Sequence, residues 1–159
     1  MVGISGGTKG AEALMRSDAG SASGHGAVMQ GIHLIGDLEG CRCGEALLLS
    51  CAALEKLLVS ECIRAGLTPV GTKFHQFGTS DAPAGVTGVV LLEESHACIH
   101  TWPELNCVTL DVYVCSFSRD NRAAARELFQ RLIDAFAPRH PRTQEHERGI
   151  GVARPAHSV

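Results

Sequence analysis

The run "CVTLDVYVC", residues 107–115, constrains the fold of this chain more than any other stretch. Val108, Leu110, Val112 and Val114 alternate with Thr109, Asp111 and Tyr113. Successive side chains on a β-strand point to opposite faces, so the apolar set shares one face and the polar set the other. Four further stretches read as strands: "GIHLIGDLEGC", where Ile32, Leu34 and Leu38 lead into a Gly-bounded turn, then "LTPVGTKFHQF", "GVTGVVLL" and "HACIHTW".

Two segments carry helical spacing instead. Residues 45–66 hold apolar side chains at helical intervals and end at Gly66, a residue suited to a C-terminal stop. Residues 121–137 place Leu128, Leu132, Ile133 and Phe136 on one face. Ser118 or Asp120 is available as its cap, and Pro138 and Pro141 end it. The order is β-α-β-β-β-β-α, with a short edge strand possible after residue 143. Strands outnumber helices and short links join several of them. The expected fold is α+β: a two-layer α/β sandwich with a mainly antiparallel sheet and two helices on one face. The sheet's other face then needs a cover, and a second copy of the chain is the simplest one.

A length of 159 residues suits one domain. Residues 1–30, rich in Gly, Ser and Ala without an apolar period, read as a flexible extension; 31–150 form the folded domain and 151–159 a flexible tail. A net charge of -3 gives no electrostatic case for nucleic acid or an anionic membrane. No stretch approaches the roughly 20 apolar residues that span a bilayer, and the N-terminus lacks the apolar core of a secretory signal. The seven cysteines are an odd number. Without such a signal, reduced thiols in the cytoplasm are expected, with Cys51 and Cys62 as small core residues.

Chemistry concentrates in "LLEESHACIHTWPE", residues 91–104, where carboxylates, a serine, two histidines, a cysteine and the only tryptophan crowd together. One reading is a polar strand edge with incidental histidines. A second is a zinc site, because His96, Cys98 and His100 share a strand face and offer nitrogen and sulfur donors. Three ligands on one straight strand diverge, however, and the Cys-x-Cys of "GCRCG" adds only a weak signal. The third reading makes Ser95 a nucleophile. It lacks the Gly-x-Ser-x-Gly elbow of serine hydrolases. Flanked by Glu94 and His96, it can instead attack the carbonyl carbon of the residue before it, given a group to polarise that carbonyl and a proton acceptor.

The run "EESHACIHTWPE", with "GVTGVVLL" before it and "VTLDVYVC" after it, resembles the bacterial S-adenosylmethionine decarboxylases, a pyruvoyl-dependent family. The resemblance extends from about residue 31 to 149 and includes "HLIGDLEGC", "FHQF" and "HERG"; the extension before Gly31 lies outside it. It implies that the chain cuts itself between Glu94 and Ser95 into a β-chain and an α-chain. Ser95 then becomes a covalent pyruvoyl cofactor, which binds the amine of S-adenosylmethionine as a Schiff base while carbon dioxide leaves. His100 is implied as the processing base, a role that suits imidazole near neutral pH, with the hydroxyl of Thr87 assisting. Cys115 is implied as the proton donor to the product. Glu104 would hold the ribose hydroxyls through its two oxygens, and Phe77 would stack on the adenine and sulfonium region. Asp37 falls at an acidic position that steers the amine or aids processing. His96 shapes the cleavage point, and Trp102 and Pro103 are structural.

Three features depart from the family pattern. Thr87 stands where serine is usual, and its methyl group restricts the rotamers of the hydroxyl. Processing is then expected to be slower but retained. Glu93 replaces a small residue, and the loop after Phe77 is long. The resemblance further implies a homodimer of αβ protomers, active in polyamine synthesis, and no residue is assigned to a metal. Arginine or ornithine as substrate, a zinc-binding regulatory module, and an unprocessed partner subunit remain as alternatives.

Overall fold

The computed structural model describes residues 29–150, apart from the side chains of Met29 and Ile150. The expected extension before residue 29 and the tail after 150 lie outside the described residues. Six strands form one sheet: β1 (Met29–Glu39), β2 (Pro69–Gly78), β3 (Pro83–Leu92), β4 (Ser95–Trp102), β5 (Cys107–Ser116) and β6 (His140–Ile150). Their spatial order is β2-β3-β4-β5-β1-β6, and every neighbouring pair is antiparallel. Helices α1 (Ala46–Leu49), α2 (Cys51–Arg64) and α3 (Arg122–Phe136) pack against the sheet. The result is the expected α+β two-layer sandwich.

The alternation in residues 107–115 explains the layering. Val108, Leu110, Val112 and Val114 are buried under the helices, as are Ile32 and Leu38 of β1, Val86 and Val90 of β3, and Ala97 and Ile99 of β4. Leu54 and Leu58 of α2, and Leu128, Leu132 and Phe136 of α3, close the core from above. The opposite face carries the polar set, here called the outer face.

Several details differ from the sequence expectation. The single helix over 45–66 is broken at Ser50, whose backbone is extended (φ -109, ψ 112) and whose hydroxyl accepts from the Ala53 amide. Three helices result, not two. The Leu48 carbonyl, at the broken end of α1, accepts instead from the buried Thr101 hydroxyl at 2.7 Å, and that oxygen accepts from the Val86 amide at 2.8 Å. Cys51 is only half-buried at the start of α2, so of the two expected core thiols Cys62 alone is fully inside. At α3 the N-cap is neither Ser118 nor Asp120 but Asn121, which makes no side-chain capping bond; Asp120 accepts from the Arg122 amide at 3.1 Å, and the Ser118 amide turns away to Glu94. The short edge strand is in fact eleven residues long, because β6 pairs with β1 along its whole length. That pairing draws Gln30, expected in the extension, into the sheet opposite Gly149. The exposed β6 edge carries Arg142, Glu145, Glu147 and Arg148, charges that oppose addition of another strand.

Candidate active site

Strands β3 and β4 are joined by Glu93 and Glu94 alone, so the Glu94–Ser95 bond lies at the end of a tight hairpin. The Ser95 hydroxyl donates to the Glu94 carbonyl and accepts from the Cys115 amide at 2.7 Å. The Glu94 carboxylate is clamped by the segment leading into α3. It accepts from the Phe117 amide at 2.9 Å, the Ser118 amide at 3.0 Å and the Asn121 side chain at 3.3 Å. Donation from Ser118 first, and from the Phe117 backbone next, holds this carboxyl below its ordinary range. Asn121 is buried, and its amide nitrogen also donates to the Cys115 carbonyl at 3.1 Å. A cavity of about 30 Å³ beside Ser95, lined also by Leu67, Val114 and Asn121, has room for a water molecule. The Cys115 thiol donates to the Tyr113 hydroxyl at 2.9 Å, a contact that raises the tyrosine above its ordinary range.

The remaining expected site residues gather elsewhere. Thr87 Oγ1 and His100 Nδ1 are 2.7 Å apart on paired positions of β3 and β4. The same row runs from His75 through Thr87, His100 and Thr109 to Asp37 and Arg142. Asp37 is exposed, with Arg142 at 3.7 Å. Phe77 is 47% exposed at the end of β2, its ring edge-on to His75 at 4.9 Å. Glu104 is exposed in the 3-10 turn Pro103–Leu105 beyond β4. His100 lies five positions from Ser95 along one strand, which is roughly 16 Å. One chain therefore brings Glu94, Ser95 and Cys115 together at one end of the sheet, and Thr87, His100 and Asp37 together at the other.

His96, Cys98 and His100, weighed in the sequence as a zinc face and set aside because they diverge, do part company: His100 is turned to Thr87 while His96 and Cys98 face Asp111. Four participants escaped the sequence reading: Asn121, Asp111, Tyr113 and His33. Asp111 and Tyr113 were visible as polar members of the alternating strand, but only the register shows that His33 bonds Asp111 at 2.7 Å. Asn121 had no signal beyond its place at a helix start.

Fold and site together define a class: two-layer α+β proteins in which a serine hydroxyl is set against the carbonyl of the residue before it. The S-adenosylmethionine decarboxylase family model matches residues 32–149. The chain belongs to that family. The S-adenosylmethionine decarboxylase proenzyme of Acetivibrio thermocellus is 34% identical over 120 residues, 76% of this chain and 89% of the relative. The Picrophilus torridus proenzyme is 35% identical over 123 residues, covering 77% and 86%. The crystal structure of the adenosylmethionine decarboxylase from Aquifex aeolicus superposes with a TM-score of 0.66 at 30% identity, covering 82% of this chain and 98% of that one.

Proposed function

We propose that this chain is a precursor that cuts itself between Glu94 and Ser95 and then decarboxylates S-adenosylmethionine, yielding the aminopropyl donor for spermidine synthesis. The observation that supports self-cleavage is the Ser95 hydroxyl, held against the Glu94 carbonyl by the Cys115 amide. Attack of Oγ on the carbonyl carbon exchanges the peptide bond for an ester and frees the Ser95 nitrogen. Loss of the Ser95 α-proton then expels the Glu94 carboxylate as the new end of the β-chain and leaves a dehydroalanine. Water hydrolyses that residue, ammonia departs, and a pyruvoyl group heads the α-chain. The clamp on the Glu94 side chain fixes the carbonyl during the first step.

When present, the pyruvoyl carbonyl supplies the electron sink for loss of the substrate carboxylate. Cys115 lies beside Ser95 with its thiol oriented by Tyr113, and delivers the proton to the substrate α-carbon. Glu104 binds the ribose hydroxyls and Phe77 stacks on the adenine and sulfonium region. Asp37 steers the substrate amine.

His100 and Thr87 serve as the processing base and its partner, but within one chain they are too far from Ser95. A second copy laid on the outer face brings its own pair to the bond. Phe77, Leu91 and Trp102 stand 47–50% exposed there, apolar surface suited to such a cover. The working unit is therefore a homodimer of αβ protomers, with free thiols that suit the cytoplasm.

Intact mass of the purified protein tests the cleavage: two fragments that meet at Glu94 and Ser95 are expected, and a single chain from Ser95→Ala. Carbon dioxide release from S-adenosylmethionine, arginine and ornithine, compared side by side, tests the substrate. A wild-type chain that stays whole overturns self-processing; release from arginine or ornithine alone overturns the substrate.

A further inference from the structure

The outer face holds a group of donor atoms that the proposed reaction leaves unused. His96 and Cys98 stand two residues apart on β4, and Asp111 on β5 is the direct register partner of Cys98. Their ligand atoms all lie within 4.8 Å of one another, and all three residues are half-buried. Positions i and i+2 on a strand share a face about 6.7 Å apart, and the residue opposite on the next strand is about 5 Å away. Three side chains so placed approach a common point from three directions, whereas three on one strand cannot.

A neighbouring histidine prepares the carboxylate. His33 Nε2 bonds Asp111 Oδ2 at 2.7 Å, and Asp111 Oδ1 remains directed at His96 Nε2, 3.5 Å away. Carboxylates that bind metals are commonly oriented by such an outer partner. Imidazole, thiolate and carboxylate together make a donor set for zinc, while magnesium and calcium take oxygen ligands only. Zinc bonds of about 2.0–2.3 Å place tetrahedral ligand atoms roughly 3.5 Å apart, so closure requires contraction of about 1 Å by side-chain rotation.

We propose that His96 Nε2, Cys98 Sγ and Asp111 Oδ1 form a binding site for one zinc ion, with a water completing the tetrahedron on the outer face. Cys98 releases its thiol proton to solvent on binding, and the thiolate and carboxylate balance the charge of the ion. The site stands apart from the decarboxylase reading, since Cys98 and Asp111 have no part in that chemistry and His96, next to Ser95, carries no proton or bond in it.

The test is a cobalt titration of the full chain after chelator treatment, followed by zinc competition. One cobalt per chain is expected, with tetrahedral d–d bands and a thiolate-to-cobalt charge-transfer band that one equivalent of zinc removes. Cys98→Ser and Cys98→Ala, each checked for native circular dichroism, should lose the charge-transfer band. His96→Ala and Asp111→Asn should weaken cobalt binding at least tenfold. The controls are Cys41, Cys43 and Cys107, which lie near one another; changing all three to serine should leave the spectrum intact. Absence of stoichiometric cobalt, a band that survives Cys98→Ser, or a band lost with the three control thiols would each overturn the site.

Discussion

Replacing Thr101 with valine should destabilise the fold by about 3 kcal/mol, because the side chain keeps its shape and loses only its hydroxyl. Thr101 is 4% exposed. Its Oγ1 accepts from the Val86 amide at 2.8 Å and donates to the Leu48 carbonyl at 2.7 Å, so it ties β4 to both β3 and the end of α1. The β3–β4 register ends one residue earlier, at Thr87 opposite His100, and the hydroxyl continues the connection where the ladder stops. Valine strands one buried donor and one buried acceptor, each costing about 1–3 kcal/mol. No cavity is added. At about 3–5 °C per kcal/mol for a domain of this size, the melting temperature should fall by roughly 10–15 °C. Circular dichroism melts in a Ser95→Ala background compare single uncleaved species. Thr101→Ser, which keeps the hydroxyl, should stay within about 1.5 kcal/mol of the parent, the cost of one lost methyl and its small void. A valine variant melting within about 2 °C of the parent, about half a kcal/mol, would refute the reasoning.

Asn121→Ala should slow fragment formation several-fold, and Asn121→Asp more severely, because it sets a second carboxylate beside Glu94; equal rates for the two variants on a timed denaturing gel would reduce Asn121 to a packing role. Cys115→Ala should cleave but release carbon dioxide at least a hundredfold more slowly, a loss typical of a missing general acid; normal turnover would remove Cys115 from the mechanism. Because the folded state lowers the Glu94 pKa, its clamp contributes stability that is complete above the unfolded value, 4.5, and is lost as pH falls through the lower folded one. Amide exchange at Phe117 and Ser118, corrected for the intrinsic pH dependence, should rise only below about pH 4.5; a rise near neutrality would contradict the assignment. Cys62, pushed up to about 12 by burial first and by Glu61 next, should resist alkylation at pH 8 in the folded protein. Labelling of Cys62 as fast as Cys51 would show that the core opens locally.

Local patterns revealed the layers. The alternation from Val108 to Val114 set the buried face of β5, and helical spacing located α2 and α3, because those periods are properties of short segments. The break at Ser50 escaped notice because the hydroxyl of Thr101, 53 positions beyond Leu48, holds the end of α1. Register depends on the whole sheet, so the meeting of Asp111 with His33 and His96 could not be read from either strand alone. The distance between His100 and Ser95, by contrast, was implicit in their five-residue spacing once residues 96–102 were read as a strand. The length of β6 was underestimated because residues 140–149 are all exposed, and backbone pairing with β1 holds them without an apolar signal.

The strand order has a consequence for a molecule cut at Glu94. The first piece would hold β1, β2 and β3, and the second β4, β5 and β6. In space these pieces interleave, for β1 sits between β5 and β6, and β3 lies against β4. Three of the five strand ladders (β3–β4, β5–β1 and β1–β6) would then join one piece to the other. Breaking one peptide bond would leave the two fragments braided, and pulling them apart would require the sheet to unfold. Such a chain has no need of covalent continuity across its own active centre.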